Sequence, residues 1–396
     1  MQLWLDSLIA HGVFGPHPSH EWVYTIAITI ACALVLMLVA LPFASIVTWV
    51  ERRVWARIQS RIGPNRVGPN GFLQWLADGV KHVCKEDLIP SEADARLFKL
   101  APYLVVLAFI LPWAVMPFSS GLILADLNIG ILYITAVPAL TVVGILMGGW
   151  ASNNKWSLIG GIRSAAQIIS YEIPAGLSIF PIVLMTGTLS MQGIIRAQGW
   201  APDRWFIFAN PFCFVAAFIM FISSLAENNR TPFDLPEAES ELVAGFATEY
   251  SSMRYLFFFM AEWGNMFIAA AIVVTLFLGG WQFPLLTRSA VVMNALQFVA
   301  FMVKCLFLVL VSMWVRGTLP RVRIDQMMSL CWKYFVPISF INLIGTAVWV
   351  AIFPDGNAIV RWGMLAFGVA IAVLFASRVI TFTRRSGMEL YLRPTI

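Results

Sequence analysis

An all-α, polytopic membrane fold with about nine spanning helices is what this sequence predicts, and three observations carry the prediction. The 396 residues are 60% hydrophobic, only 12% charged, and have a mean hydropathy of +0.80, a composition that soluble domains seldom show. Apolar runs recur at 22–50, 98–118, 129–150, 164–189, 206–226, 255–280, 290–315, 334–353 and 360–383, each near the roughly 20 residues that cross a bilayer as helix. The basic residues between them are one-sided. Taking the intervening segments alternately, twenty Lys and Arg fall on one side and only Arg196, Arg204, Arg288 and Arg361 on the other, with Lys304 and Arg378 inside runs. The positive-inside rule then places the N-terminus outside and the C-terminus in the cytoplasm. A net charge of +5 is thereby explained by topology, not by nucleic-acid binding. Trp22, Trp49, Trp113, Trp150, Trp281 and Trp314 at run ends suit an interfacial aromatic belt.

Three regions follow. Residues 1–21 form an external segment in which His11, His17 and His20 lie among Gly and Pro. That pattern favours an exposed loop over a metal site, and no cleavable signal peptide is expected. Residues 22–353 hold eight helices and the cytoplasmic loops 51–97, 227–254 and 316–333. Residues 354–396 add one further helix and a cytoplasmic tail. The first loop opens ERRVWARIQSRIGPNRVGP, with Arg57 and Arg61 four apart and two Gly-Pro-Asn turns at 63–65 and 68–70. Gln74, Asp78 and Lys81 then share one helical face, with Leu73, Leu76, Val80 and Val83 elsewhere, which predicts an amphipathic helix at the membrane surface. A bare Asp78–Lys81 surface pair is the simpler reading of the same spacing.

The second loop, AENNRTPFDLPEAESELVAGFATEY from Ala226 to Tyr250, concentrates Glu227, Asp234, Glu237, Glu239, Glu241 and Glu249. Thr231 to Asp234, or Asp234 to Glu237, gives a capping-box spacing and predicts a short helix with Pro in its first turn. Glu237 and Glu241 would share its face, while Glu239 points away. Carboxylates crowded together out of water cannot all ionise, so at least one is expected to hold a proton near neutrality. The alternative is a solvated acidic loop. Within the spans, Glu172 precedes Pro174, which cannot donate to the Ser170 carbonyl and leaves a polar gap beside the acid. Glu262 and Lys304 are also intramembrane, and a structural ion pair between them is the plain alternative to a functional role. Arg378 snorkels, and Pro112 and Pro138 read as kinks. Cys32, Cys84, Cys213, Cys305 and Cys331 are scattered, a spacing poor for an iron–sulfur cluster, a haem or a disulfide framework. No metal site is expected.

GFLQWLADGVK from Gly71 to Lys81 and PFDLPEAESELVAG from Pro232 to Gly245 resemble the two signature stretches of the H-type membrane subunit, or subunit 1, family of respiratory complex I. ERRVWARIQSRIGPNRVGP and RGTLPRVRIDQMM fit the same pattern in the same order, and the resemblance spans about residues 22 to 350. It implies a quinone-binding, energy-coupling subunit of a proton-translocating NADH:quinone oxidoreductase in a bacterial inner membrane. Quinone would be substrate, and NADH, FMN and iron–sulfur clusters would reside in partner subunits. The implied partners are the hydrophilic-arm subunits at the cytoplasmic face and, in the bilayer, small and antiporter-like membrane subunits. By resemblance, Glu51, Arg52 and Asp78 line or support the quinone chamber and Arg61 and Arg66 stand near its mouth. Glu172, Glu227, Glu249 and Glu262 belong to a buried acidic proton path, and Asp234, Glu237, Glu239 and Glu241 to the loop joining chamber and path. A helix beyond residue 359 departs from the family pattern. The corresponding subunit of energy-converting hydrogenases is the weaker resemblance, and a secondary ion transporter is an alternative from another class.

Overall fold

A computed structural model describes residues 40, 42–236, 239–284, 289–354 and 356–385. The segment 1–21, most of the first apolar run, Glu237 and the tail beyond Arg385 lie outside the described residues. Helix α1 occupies 42–58, and α2 is the surface helix Gln74–Cys84. The spans α3 (Ala95–Ala114), α4 (Gly130–Ala151) and α5 (Lys155–Thr186) follow. The short helix α6 (Met191–Ala197) and two 3-10 turns, Pro202–Arg204 and Phe206–Phe208, precede α7 (Pro211–Glu227). The chain continues through α8 (Ser252–Phe277), α9 (Ala290–Thr318), α10 (Ile324–Ile352) and α11 (Ala358–Arg385).

Seven of these, α3, α4, α5, α8, α9, α10 and α11, are long and apolar enough to cross a membrane. With its 17 residues, α7 reaches only about 25 Å at the usual helical rise, and α1 is the described end of the first predicted run. The architecture is all-helical among the described residues, as the hydropathy pattern predicts. Enclosure is uneven: α8 is the most buried span, whereas α11 shows its apolar surface outward. The last helix touches the bundle through Phe367 on Phe214 and Phe375 on Trp314.

Helix ends are set by local chemistry. The Asn154 side chain accepts from the Trp156 amide at 2.9 Å to start α5, and Gly187, at φ 66°, ends it. Asn210 caps α7 by accepting from the Cys213 amide at 2.6 Å, with Pro211 preset in the first turn. Inside α5 the polar gap expected at Pro174 is filled. The Cys331 thiol donates to the Ser170 carbonyl at 3.0 Å, and the Tyr171 hydroxyl donates to the Met327 carbonyl at 3.0 Å. Cys331 lies in a π-helical stretch of α10, Leu330–Phe335, a local widening of the kind that re-aims side chains.

Two elements differ from the sequence expectation. No helix forms at 231–236: the chain turns there, and helix appears only as the single turn Glu239–Leu242, followed by a 3-10 turn at Gly245–Ala247. Pro236 could not donate to the Pro232 carbonyl in a helix. That carbonyl instead accepts from the Val322 amide at 3.0 Å, and an extended course puts Phe233 and Leu235, two apart, into one apolar cluster with Tyr171 and Met327. The loop 316–333 is also shorter than predicted, because α9 runs to Thr318 and α10 starts at Ile324. The buried Met327 and Cys331, one turn apart, extend the apolar face of α10 upstream. Close approach holds the acidic loop on α5: a Cβ at Gly160 would come within 2.7 Å of the Phe246 amide nitrogen.

Candidate functional site

Arg230, directly after α7, is 2% exposed, although an unpaired charge at such depth is prohibitive. The turn that carries it is stitched to α5. The Gln167 amide donates to the carbonyls of Ala226 and Phe233, each at 2.7 Å, and to Asn229 Oδ1 at 3.2 Å, while Asn229 Nδ2 donates to Ser164 Oγ at 3.2 Å. So fixed, Arg230 Nε lies 2.9 Å from Glu262 Oε1 and its Nη1 lies 3.4 Å from Glu51 Oε1. Its guanidinium sits 4.0 Å from the centroid of the Trp263 ring, a favourable cation–π geometry. Arg316 of α9 approaches Glu51 from the other side at 2.5 Å and stands over Trp55.

Two carboxylates and two guanidiniums from α1, α8, α9 and the acidic loop thus form a compact cluster with no net charge. Each ion loses several kcal/mol of hydration on burial, and only mutual pairing offsets that cost. Nearer the surface Asp234 pairs with Arg321 at 3.2 Å. Burial pushes the Asp234 carboxyl above its ordinary value, with Arg321 pulling the other way.

Cavities lie along the same elements. One, of about 450 Å³, lies between α1, α2 and α8 and is lined by Arg52, Asp78, His82, Trp75, Tyr255 and Phe259 among others. The predicted polar face of α2 is in place: Asp78 takes Arg52 at 2.6 Å and Gln74 at 3.1 Å, with Lys81 at 3.9 Å. Leu76, Val80 and Val83 are exposed, as a helix lying on a bilayer requires. Asp78 therefore serves Arg52 more than Lys81. The His82 ring stacks with Tyr255 at 5.9 Å, and burial, then Lys81 and Lys85, lower its pKa.

The second cavity, about 390 Å³ among α4, α5, α7 and α8, brings Glu172 and Glu227 together with Ser224, Asn228, Thr141 and Asn265. A third, of only about 30 Å³, shares Thr141, Glu227, Asn228 and Asn265 with it and adds Asn229 and Glu262. Ionisable groups consequently run from Arg52 and Asp78 through Glu51, Arg230 and Glu262 to Glu227 and Glu172.

Other predicted positions fall elsewhere. Glu249 accepts from Asn154 at 2.6 Å near the start of α5 and lines neither acidic cavity. Glu241 is exposed and paired with Arg163 at 2.7 Å. Glu239 belongs to the single helical turn. Arg61 is exposed, donating to Gln59 at 2.7 Å, and Arg66 is exposed as well. The Glu262–Lys304 pair does not form. Lys304 donates instead to the carbonyls of Leu278 at 2.8 Å and Gly280 at 3.0 Å, at the end of α8 and over the Trp205 ring, where freed carbonyls attract a cation. Sequence reasoning missed Arg230 and Arg316 as site residues. The available signal was a lone Arg in a turn rich in Asn and acids. Among the described residues no group of three or more His, Cys, Asp or Glu could hold a metal ion.

A family model described as NADH dehydrogenase matches residues 19–347. The H subunit of the NADH-quinone oxidoreductase of Anaeromyxobacter dehalogenans is 51% identical over 382 residues, covering 91% of this chain and 92% of the relative. The chain belongs to the H-subunit family of NADH-quinone oxidoreductases. Other members are similar at comparable range: the H subunit of Chlorobaculum tepidum at 46% identity, covering 88% of this chain and 98% of its own, and subunit 8 of Rhodothermus marinus at 43%, covering 84% and 98%. The family match ends before α11 begins at Ala358. In this H-family chain the ion cluster lies wholly within the matched region. Arg230→Met should leave Glu51 and Glu262 short of a partner and destabilise the subunit by about 3–5 kcal/mol. The check is the unfolding midpoint of the purified assembly, and adding Glu262→Gln should recover part of the loss.

Proposed function

We propose that this chain is the quinone-binding, energy-coupling membrane subunit of a proton-translocating NADH:quinone oxidoreductase in a bacterial inner membrane. The observation that carries the reading is the run of buried ionisable groups joining the 450 Å³ cavity to the acidic 390 Å³ one. The first cavity has the size of a ligand pocket and opens beside a surface helix, where a lipid-soluble quinone can enter from the bilayer. Trp75, Tyr255 and Phe259 offer aromatic faces to its ring, and Arg52 with Asp78 sets the polar end. NADH, FMN and iron–sulfur clusters would be held by hydrophilic-arm subunits, which dock on the exposed basic segment carrying Arg57, Arg61 and Arg66. Small and antiporter-like membrane subunits would cover the exposed apolar flanks.

Coupling follows from electrostatics. A unit negative charge on reduced quinone acts on a carboxylate about 10 Å away with roughly 1.7 kcal/mol at an effective dielectric near 20. That is a little over one pKa unit. Moving a charge against about 150 mV costs roughly 3.5 kcal/mol, so one electron falls well short, two uncompensated charges come close to matching it, and a site drier than this dielectric would exceed it. Arg230 is placed to transmit the change: attraction toward new negative charge on the quinone side weakens its hold on Glu262, which then takes up a proton. Glu227 and Glu172 continue the path toward the partner subunits.

Two outcomes test this. Glu262→Gln and Glu172→Gln, in assembled complex, should depress quinone-linked NADH oxidation and proton pumping together while NADH oxidation by an artificial acceptor on the soluble arm persists. Normal pumping in both would refute the path. The second concerns His82, whose pKa in the fold lies below the ordinary 6.5. Neutral His82 is favoured by the fold, so its contribution is complete above about pH 6.5 and is lost as pH falls through the lowered value. Accordingly the quinone KM should stay flat down to about pH 6.5 and rise on further acidification, when a further cation joins Arg52, Lys81 and Lys85. Measured with a short-chain quinone, that rise should be absent in His82→Phe.

A further inference from the structure

Thr141 lies one turn past Pro138, where α4 loosens. The amides of Leu140, Thr141 and Val142 reach back three residues, to Val137, Pro138 and Ala139. Threonines in spanning helices ordinarily satisfy their hydroxyl on a carbonyl one turn earlier. Thr135, Thr186, Thr275 and Thr346 do so here, at 2.7 to 3.0 Å. The buried Thr141 hydroxyl has no protein partner, and neither has the buried Oδ1 of Asn265 on α8. Both atoms belong to residues that line the two acidic cavities, and the smaller of these lies between Glu262 and Glu227. A buried polar atom without a partner costs about 1–3 kcal/mol, so two of them at one place call for a ligand.

The space fits one. A water needs at least roughly 10–15 Å³ and two to four polar partners, and the small cavity provides about 30 Å³ with a hydroxyl, an amide oxygen and two carboxyls on its walls. We infer that Thr141 and Asn265 form a water-binding gate that sets proton exchange between Glu262 and Glu227, an inference that rests on the coupling role proposed above. The Thr141 hydroxyl and Asn265 Oδ1 orient the water and react with nothing; they are positioning residues. In the transfer, Glu262 gives its proton to the water oxygen as the water gives one of its own to the Glu227 carboxylate. One O–H bond forms and one breaks at the water, which leaves unchanged, while one carboxyl loses a proton and the other gains it. The gate closes when either residue withdraws its hydrogen bond.

The test uses the whole assembled complex in proteoliposomes, comparing Thr141→Val, Thr141→Ser, Asn265→Leu, the double variant Thr141→Val with Asn265→Leu, and Glu227→Gln. Thr141→Val has the shape of threonine without the hydroxyl. It should lower quinone-linked turnover and pumping about five- to tenfold and enlarge the solvent deuterium isotope effect, with the unfolding midpoint unchanged. Thr141→Ser should restore both. If both residues serve one water, the double variant should lose no more than the worse single. Wild-type turnover and isotope effect in Thr141→Val and Asn265→Leu, with Glu227→Gln impaired, would overturn the gate and leave the coupling role standing. Thr141→Ser as impaired as Thr141→Val would also overturn it, as a packing effect. Full pumping in Glu227→Gln would instead refute the coupling role itself. Should Thr141→Val fail to assemble, Asn265→Leu reads the same isotope effect, and an enlarged or a wild-type value decides for or against the gate in the same way.

Discussion

Burying Arg230 is the constraint around which the described part of the molecule is built. A guanidinium cannot be neutralised by giving up its proton, so at 2% exposure it obliges the fold to bring carboxylates to it. Glu51 comes from α1 and Glu262 from α8, and Arg316 from α9 restores charge balance. Helices α1, α8 and α9 and the acidic loop are therefore tied at one point. Gln167, itself fully buried, holds the turn so that Arg230 points inward.

Such a cluster adds little net stability, since hydrophobic packing of the same volume often serves as well or better. Arg230 sits between a carboxylate next to the Arg52–Asp78 cavity and a carboxylate on the small acidic cavity, so new charge on one side alters its attraction to the other. In the coupling role proposed above, that is how a field would become a protonation change. The close approach at Gly160 and the cap at Asn154 hold the loop and α5 in register.

Much of this was legible in the sequence, for reasons that can be named. Spans follow from hydropathy, and α2 follows from Gln74, Asp78 and Lys81 falling on one helical face. Glu172 and Glu262 stood out because acids in apolar runs are rare. The rest depended on long-range geometry. Arg316 and Glu51 are 265 residues apart, and no local pattern links them. Arg230 looked like one more topological charge because its neighbours, two asparagines and a Thr-Pro, resemble an exposed turn. Opposite sign alone makes a Glu262–Lys304 pair the plain alternative in the sequence; the carbonyls of Leu278 and Gly280 at the end of α8 take the lysine instead. Capping-box spacing in the acidic loop lost to the burial of Phe233 and Leu235, and the exposed Glu241 shows that acidity in that loop does not mark depth.

In the proposed coupling, quinone reduction changes the protonation of Glu262 through Arg230. Infrared difference spectroscopy on the assembled complex, recorded between oxidised and reduced quinone, reads carboxyl protonation directly. The wild type should show a protonated-carboxyl band that changes on reduction and that disappears in Glu262→Gln, with the quinone bands themselves retained. An identical carboxyl difference spectrum in the wild type and in fully assembled Glu262→Gln would contradict it.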